Sequence, residues 1–300
     1  LSDFNYVMND TDAKFLSNAP TTQYARLTDY GTLPFFNFLS TGDYSFQVGD
    51  DSATDYRVNY FNIKLYDSSN TLLATITSYA NWTNGAFTNA NNLARTRINY
   101  LGAFPANLDG WSASWDTHKA NTSYYTVQAF DDQNIAISQL YTINIITDDC
   151  KGFEGIRLTW LNPHGTWDYY TFTKKSVRSL QTNRTSYTQL DGTWNENTFK
   201  IDGFRGGKKN FRVNSKEMIR INTDYLVDAD AVWFEDLINS PEVYILNGYS
   251  SSDTSGMINK YVEPVTVTTS SYTRKTKAND KLIQYTFELE KTKNKRIQSA

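Results

Sequence analysis

The sequence predicts an all-β, mainly antiparallel protein in two parts. An immunoglobulin- or fibronectin-like sandwich comes first. A second β-sandwich or barrel with one α-helix follows. Three observations carry this. The chain has 21 Tyr, 17 Phe and 7 Trp, with abundant Thr, Asn, Ser and Asp; Tyr and Thr suit strands, and Asn, Asp and Gly suit turns. Apolar and polar residues alternate with period two along several short segments. Strands and turn signals recur at the spacing of a sandwich. Three hundred residues are enough for two separate cores.

Residues 1–23 read as an N-terminal arm and 24–148 as the first domain. "YFNIKLYD" places Phe61, Ile63 and Leu65 on one face and Asn62, Lys64 and Tyr66 on the other. "SSN" turns the chain into "TLLATIT", completing a hairpin. Residues 82–121 are less regular and carry their own aromatics, as expected of a long loop region that binds or packs at an interface. "SYYTVQAFDDQNIAISQLYTINIITDD" reads as a strand through Val127, a "DDQN" turn and a strand through Ile143 and Ile145. "TDDCKG" is the expected boundary, being short, polar and closed by glycine.

The second domain spans 153–290 and opens with a hairpin. "GIRLTW" puts Ile156, Leu158 and Trp160 on one face. "LNPHG" fits a type I turn, with Asn162, Pro163 and Gly165 at i, i+1 and i+3. "TWDYYTF" returns with Trp167, Tyr169 and Thr171 opposite Asp168, Tyr170 and Phe172. One helix is predicted over about 228–239. Asp228 serves as its N-cap, Trp233 stacks over Leu237 and Phe234 over Ile238, and Pro241 cannot continue it. "MIRIN", "EVYIL" and "EPVTVTT" are further strands. "KLIQYTFELE" is an amphipathic one, with Ile283, Tyr285, Phe287 and Leu289 together. Residues 291–300 form a basic tail.

The formal charge is −3, without the basic bias that nucleic-acid binding needs. The C-terminal run from Arg274 is nevertheless rich in Lys and Arg, and it reads as a solvated strand and tail or as a rim for an acidic neighbour. A single cysteine, Cys150, excludes an internal disulfide and a multi-cysteine zinc site. No apolar run is long enough to span a bilayer. The chain starts at Leu1 without methionine, as expected of a processed or omitted N-terminus, and "LSDFNYVMND" lacks the pattern of a signal peptide. Sequons at Asn9, Asn81, Asn121 and Asn183 are expected by chance in a chain so rich in Asn and Thr.

No catalytic, cofactor-binding or metal-binding motif emerges. His164 and Asp168 could meet as a base and its orienter, but no nucleophile accompanies them, and a turn histidine is the simpler reading. His118 lies near Asp116 and far in sequence from His164. Asp50, Asp51 and Asp55 lack the spacing of a calcium loop, and Asp131 and Asp132 read as turn residues. "DGFRGGKKNFR" lacks the spacing and following helix of a phosphate loop, so Arg205, Lys208 and Lys209 read as a flexible hairpin loop available for assembly. Paired carboxylates for glycoside hydrolysis are recognised by their separation in space, and no motif marks them. Trp111 and Trp115, in the irregular region, are candidates for stacking on a glycan.

The order of "EGIRLTWLNPHGTWDYYTF", the helical segment and "PVTVTTSSYTRKTKANDKLIQYTFELEKTKNKRIQ" resembles virion structural proteins of tailed bacteriophages, often from marine or Bacteroidota hosts. "KFLSNAPTTQYARLTDYGTLPFFNF" is similar to the start of such proteins. The resemblance implies a non-enzymatic tail, baseplate or neck subunit, a tail-tube-like second domain, and location in the virion after assembly in the host cytoplasm. It implies copies of the chain and other virion proteins as partners, and no cofactor. The alternative is a module that binds host-surface glycan.

Overall fold

The structure, a computed structural model, describes residues 6, 8, 10–36, 58–79, 98–131, 133–146, 153–189, 198, 206–226, 228–247, 262–269, 284–292 and 295–296. Its first unit contains β1 (Thr22–Ala25), β2 (Thr32–Phe36), β3 (Tyr60–Tyr66), β4 (Leu72–Tyr79), β5 (Ile98–Gly102), α1 (Pro105–Leu108), α2 (Ala113–His118), β6 (Tyr124–Phe130) and β7 (Tyr141–Ile145). A five-stranded sheet runs β1-β7-β6-β3-β4, and β2 and β5 form a second, two-stranded sheet. Only β1 and β7 pair in parallel among the described strands of this unit.

The two sheets close a sandwich over one core. Phe61, Ile63 and Leu65 are buried, as their alternation predicts. Phe35 from the small sheet meets Phe61 edge-on at 5.0 Å. Phe15 meets Tyr141 edge-on at 4.7 Å. Met8, Ala13 and Phe15, from the stretch read as an arm, are buried in this core. In β6, Tyr125 donates its hydroxyl to the carbonyl of Ala103, just beyond β5, at 2.7 Å. The β3–β4 turn is set by Asp67, whose Oδ1 accepts the N–H groups of Ser69 and Thr71, both at 2.8 Å.

The described part of the irregular region, residues 98–121, is more ordered than expected. It supplies β5 and two short helices, so the chain has three described helices rather than one. Pro105 opens α1, where its missing N–H costs nothing. Ser112 caps α2 by accepting the N–H of Trp115.

The second unit contains β8 (Ile156–Leu161), β9 (Trp167–Phe172), β10 (Val177–Gln189), β11 (Gly207–Asn222), α3 (Asp228–Asn239), β12 (Val243–Leu246), β13 (Val262–Val267), β14 (Thr286–Lys291) and β15 (Lys295–Arg296). These strands make one antiparallel sheet in the order β10-β11-β14-β13-β12-β8-β9, with β15 beside β11. The sheet is open, so the barrel alternative does not hold among the described strands. Each face of its centre is covered instead. On one face, Trp233, Phe234 and Leu237 of α3 pack with Trp160, Phe172, Ile219 and Phe287. Trp160 and Trp233 lie 5.0 Å apart, and Phe234 stacks on Phe287 at 5.6 Å. The helix ends at Asn239, before Pro241, as predicted. The expected capping side chain of Asp228 and the expected boundary at 147–152 lie outside the described residues.

The other face turns toward the first unit. There, Arg157 is 2% exposed. Its Nη1 lies 3.4 Å from Asp29 Oδ2 and donates to Thr171 Oγ1 at 2.8 Å. Its Nε donates to the carbonyl of Tyr30 at 2.8 Å. Its guanidinium lies over the rings of Phe104 and Tyr169, at 4.8 and 5.4 Å. Asp29 also accepts the Arg26 N–H at 2.8 Å and the Thr171 hydroxyl at 2.7 Å. Gly31 permits this closeness, since a Cβ there would sit 2.7 Å from Phe104 and 2.9 Å from Arg157 Nη2.

Burial pushes the Asp29 carboxyl up, but the charges of Arg157 and Arg26 and the bonds from Arg26 and Thr171 override it and hold it below the ordinary value. Asp29 therefore stabilises the fold above the ordinary carboxylate pKa, and this contribution is lost as pH falls through its lowered folded value. Asp29→Ala leaves a buried guanidinium unpaired and is expected to cost about 3–5 kcal/mol in urea unfolding at neutral pH. Tyr125→Phe removes one neutral hydrogen bond and is expected to cost only about 1 kcal/mol in the same measurement.

Candidate functional site

The β8–β9 hairpin forms as predicted, and its tip is held from within. Gly165 N–H bonds the Asn162 carbonyl at 3.0 Å, and Gly165 takes a φ of 78°. Asn162 Oδ1 accepts the N–H groups of His164 and Thr166 at 3.0 and 3.1 Å. The side chains of Asn162 and Thr166 also reach the first unit, donating to the carbonyl of Leu16 at 3.0 and 2.6 Å.

His164 and Asp168 do not form a pair. His164 is half-buried, with Nε2 3.3 Å from Asn18 Oδ1 and its ring 4.5 Å from Tyr6. Burial holds its pKa below the usual histidine value. Asp168 is on the helix side of the sheet. It accepts Trp233 Nε1–H at 2.7 Å and Asn162 Nδ2–H at 3.0 Å. Burial pushes its carboxyl up to about 6, against hydrogen bonds from Ser17, Trp233 and Asn162. This carboxylate ties β9 to α3 and the turn; it faces no open site.

The remaining polar candidates serve local structure where they are described. Asp116 accepts the Gly110 N–H at 3.1 Å. Asp131 is buried and accepts the N–H groups of Gln133 and Ile135 at 2.9 and 2.7 Å. Asp50, Asp51, Asp55, Asp132 and Arg205 lie outside the described residues. Among the described residues no three His, Cys, Asp or Glu side chains are grouped to hold a metal. No described helix is long and apolar enough to cross a membrane.

The tryptophan pair separates. Trp111 is 38% exposed, but Trp115 is 1% exposed and meets Tyr125 edge-on at 5.6 Å. Trp115 is therefore core and cannot share a stacking platform with Trp111. The Ser112 cap carries the signal: an N-cap serine three residues before Trp115 starts a short helix that turns the indole inward.

The β10–β11 ribbon is largely exposed. Lys208 and Lys209 belong to it, paired with Thr188 and Tyr187, rather than to a flexible loop. β14 pairs with β11 only from Met218 to Asn222, and β15 pairs with it at Asn214 and Ser215. Beyond these pairings no third strand joins the ribbon among the described residues. The part beyond them, residues 184–189 with their partners, extends about 20 Å at roughly 3.3 Å per residue. Most residues of that part are exposed, whichever face they point to. The register shifts between Thr185 and Ser186, leaving Phe211 without a register partner and 62% exposed. Leu180 and Tyr187 are also exposed.

Charge changes along the ribbon. At its base Arg178 pairs with Glu154 and Glu217, Lys216 with Glu290 and Arg220 with Glu288. Farther out come Arg184, Lys208, Lys209 and Arg212, and none pairs with a carboxylate among the described residues. Strand residues 180–189 and 207–214 thus hold four cations and no carboxylate, so with −3 over the chain the remainder carries −7.

Compared with known proteins, the chain matches no family model, no curated protein and no solved structure.

Asp168 makes a testable contribution. Its folded pKa lies above the unfolded value, so between about pH 4 and pH 6 the folded chain holds a proton that the unfolded chain has released. Stability from this group is present below the unfolded value and declines as pH rises through the window, by up to about 3 kcal/mol. Asp168→Asn is expected to flatten that slope in urea unfolding from about pH 4 to pH 7, whatever its effect on absolute stability.

Proposed function

We propose that this chain is a non-enzymatic structural subunit of a tailed-phage virion, in the tail or tail-associated apparatus, that assembles through contacts with copies of itself and with other virion proteins. The observation that carries the reading is the ribbon exposed on both faces. A two-stranded ribbon is marginal in water by itself. This one displays Leu180, Tyr187 and Phe211 to solvent and carries cations that have no carboxylate partner among the described residues. A second surface removes the cost of leaving those apolar groups in water. The remainder of the chain is acidic, so another copy offers the complementary charge. An arm that docks on a different patch of the next copy makes a heterologous contact, which builds rings or filaments. The sequence resemblance to virion proteins supports the same setting.

Shortening the ribbon tests this. Replacing residues 184–213 by an Asn-Gly turn keeps the base pairs of β10 and β11, including Asn183 with Asn214, and removes the free part. The full chain is expected to form a defined oligomer in light scattering, weakened by salt, and the shortened chain to be monomeric with its thermal midpoint largely kept. A full chain that stays monomeric at high concentration would count against self-assembly. Absence of the protein from purified particles by mass spectrometry would sink the virion assignment.

A further inference from the structure

A cleft opens on the junction face of the second sheet, bounded by the first unit, with a volume of about 410 Å³. That is within the roughly 300–1,000 Å³ of small-ligand sites. Period-two alternation builds its floor. Arg157 and Thr159 on β8 face the same way as Tyr169 and Thr171 on β9 and Tyr244 and Leu246 on β12, because they are cross-strand partners. Thr159, Trp167, Tyr169 and Tyr244 form the floor, and Tyr30 and Asn107 of the first unit form the opposing wall.

We propose that this cleft binds a neutral saccharide ring. Among the described lining residues four are aromatic and none is charged, and Arg157, behind Tyr169, is already paired with Asp29. An ionic ligand would lose water there without gaining a counter-charge. Trp167 and Tyr244 stand edge to face, with centroids 5.7 Å apart, so their rings meet at an angle suited to cupping a puckered ring. The C–H groups of a sugar face are drawn to the negative face of an aromatic ring.

The rings are held in advance. The Tyr169 hydroxyl is 3.1 Å from Thr32 Oγ1, and the Tyr244 hydroxyl donates to Glu242 at 3.1 Å. Such preorganisation lowers the ordering cost of binding. Polar capacity remains open. Asn107 Oδ1 accepts the Gly31 N–H at 2.9 Å, which directs its Nδ2 donor elsewhere. Among the described residues neither Asn107 Nδ2 nor Trp167 Nε1 has a protein partner. A sugar hydroxyl satisfies such donors, whereas a lipid chain or a phenyl group from a peptide leaves them unpaired. The inference goes beyond the subunit reading and does not rest on it.

The test is calorimetric titration of the full chain with neutral oligosaccharides derived from cellulose, mannan, maltose and chitin, with heparin as a charged control. Saturable binding of at least one neutral oligosaccharide and none of heparin is expected. Trp167→Ala should abolish it. Asn107→Asp keeps the acceptor for Gly31 N–H but replaces the donor by a carboxylate oxygen, and should weaken binding about tenfold or more with an unchanged thermal midpoint. Trp111→Ala should change nothing. If Trp167→Ala does not fold, Asn107→Asp and Trp167→Phe decide. The proposal fails if none of the four binds, if binding survives Trp167→Ala or Asn107→Asp, if heparin binds equally, or if an aromatic peptide occupies the cleft and no sugar does.

Discussion

A buried guanidinium joins the two units. Arg157 comes from the second sheet, and Asp29, Tyr30 and Phe104 come from the first unit. Charges so deeply buried are costly unless paired and hydrogen-bonded. Asp29, Thr171 and the Tyr30 carbonyl take up Nε and Nη1, each with a defined direction, while the buried Nη2 has no hydrogen-bond partner among the described residues. The pair does more for geometry than for net stability. It admits one arrangement of the units, and that arrangement places Tyr30 and Asn107 opposite the aromatic face of the second sheet. Asn162 and Thr166 add a second tie through the Leu16 carbonyl.

This constraint explains why the second sheet stays open. A sheet needs each apolar or partly apolar face covered. Here α3 covers one face of the central strands, and the first unit covers part of the other. Neither covering reaches the free ends of β10 and β11. Strand pairing carries the ribbon outward until no tertiary contact remains among the described residues. The cleft and the ribbon are thus two consequences of partial covering: one lies where the covering stops short of contact, the other where it ends.

Much of this was legible wherever a strand had one face toward a core. Phe61, Ile63 and Leu65 are buried as alternation requires, and so are Tyr285, Phe287 and Leu289. The β8–β9 turn and the end of α3 follow from local chemistry at Asn162, Pro163 and Pro241. The ribbon was not legible, because alternation appears only when the two faces meet different surroundings. Both faces of residues 182–188 meet solvent, so Thr, Ser and Asn fill them without a period. Trp115 was misplaced for a related reason: a short helix gives too few turns for a periodic signal, and the cap at Ser112 is its only mark.

By itself, the sequence determined the strand-rich class, the two cores and most apolar faces, because these depend on nearest neighbours and on period two. Only the tertiary structure decided the fate of the polar residues. Arg157, Thr159 and Asp168 lie in strands whose sequence does not show that both faces become buried. Their partners, Asp29, Tyr169 and Trp233, lie on other elements, and Asp29 is more than a hundred residues away. Hydrogen bonding and desolvation depend on which groups meet in space, and that is set by how the units dock.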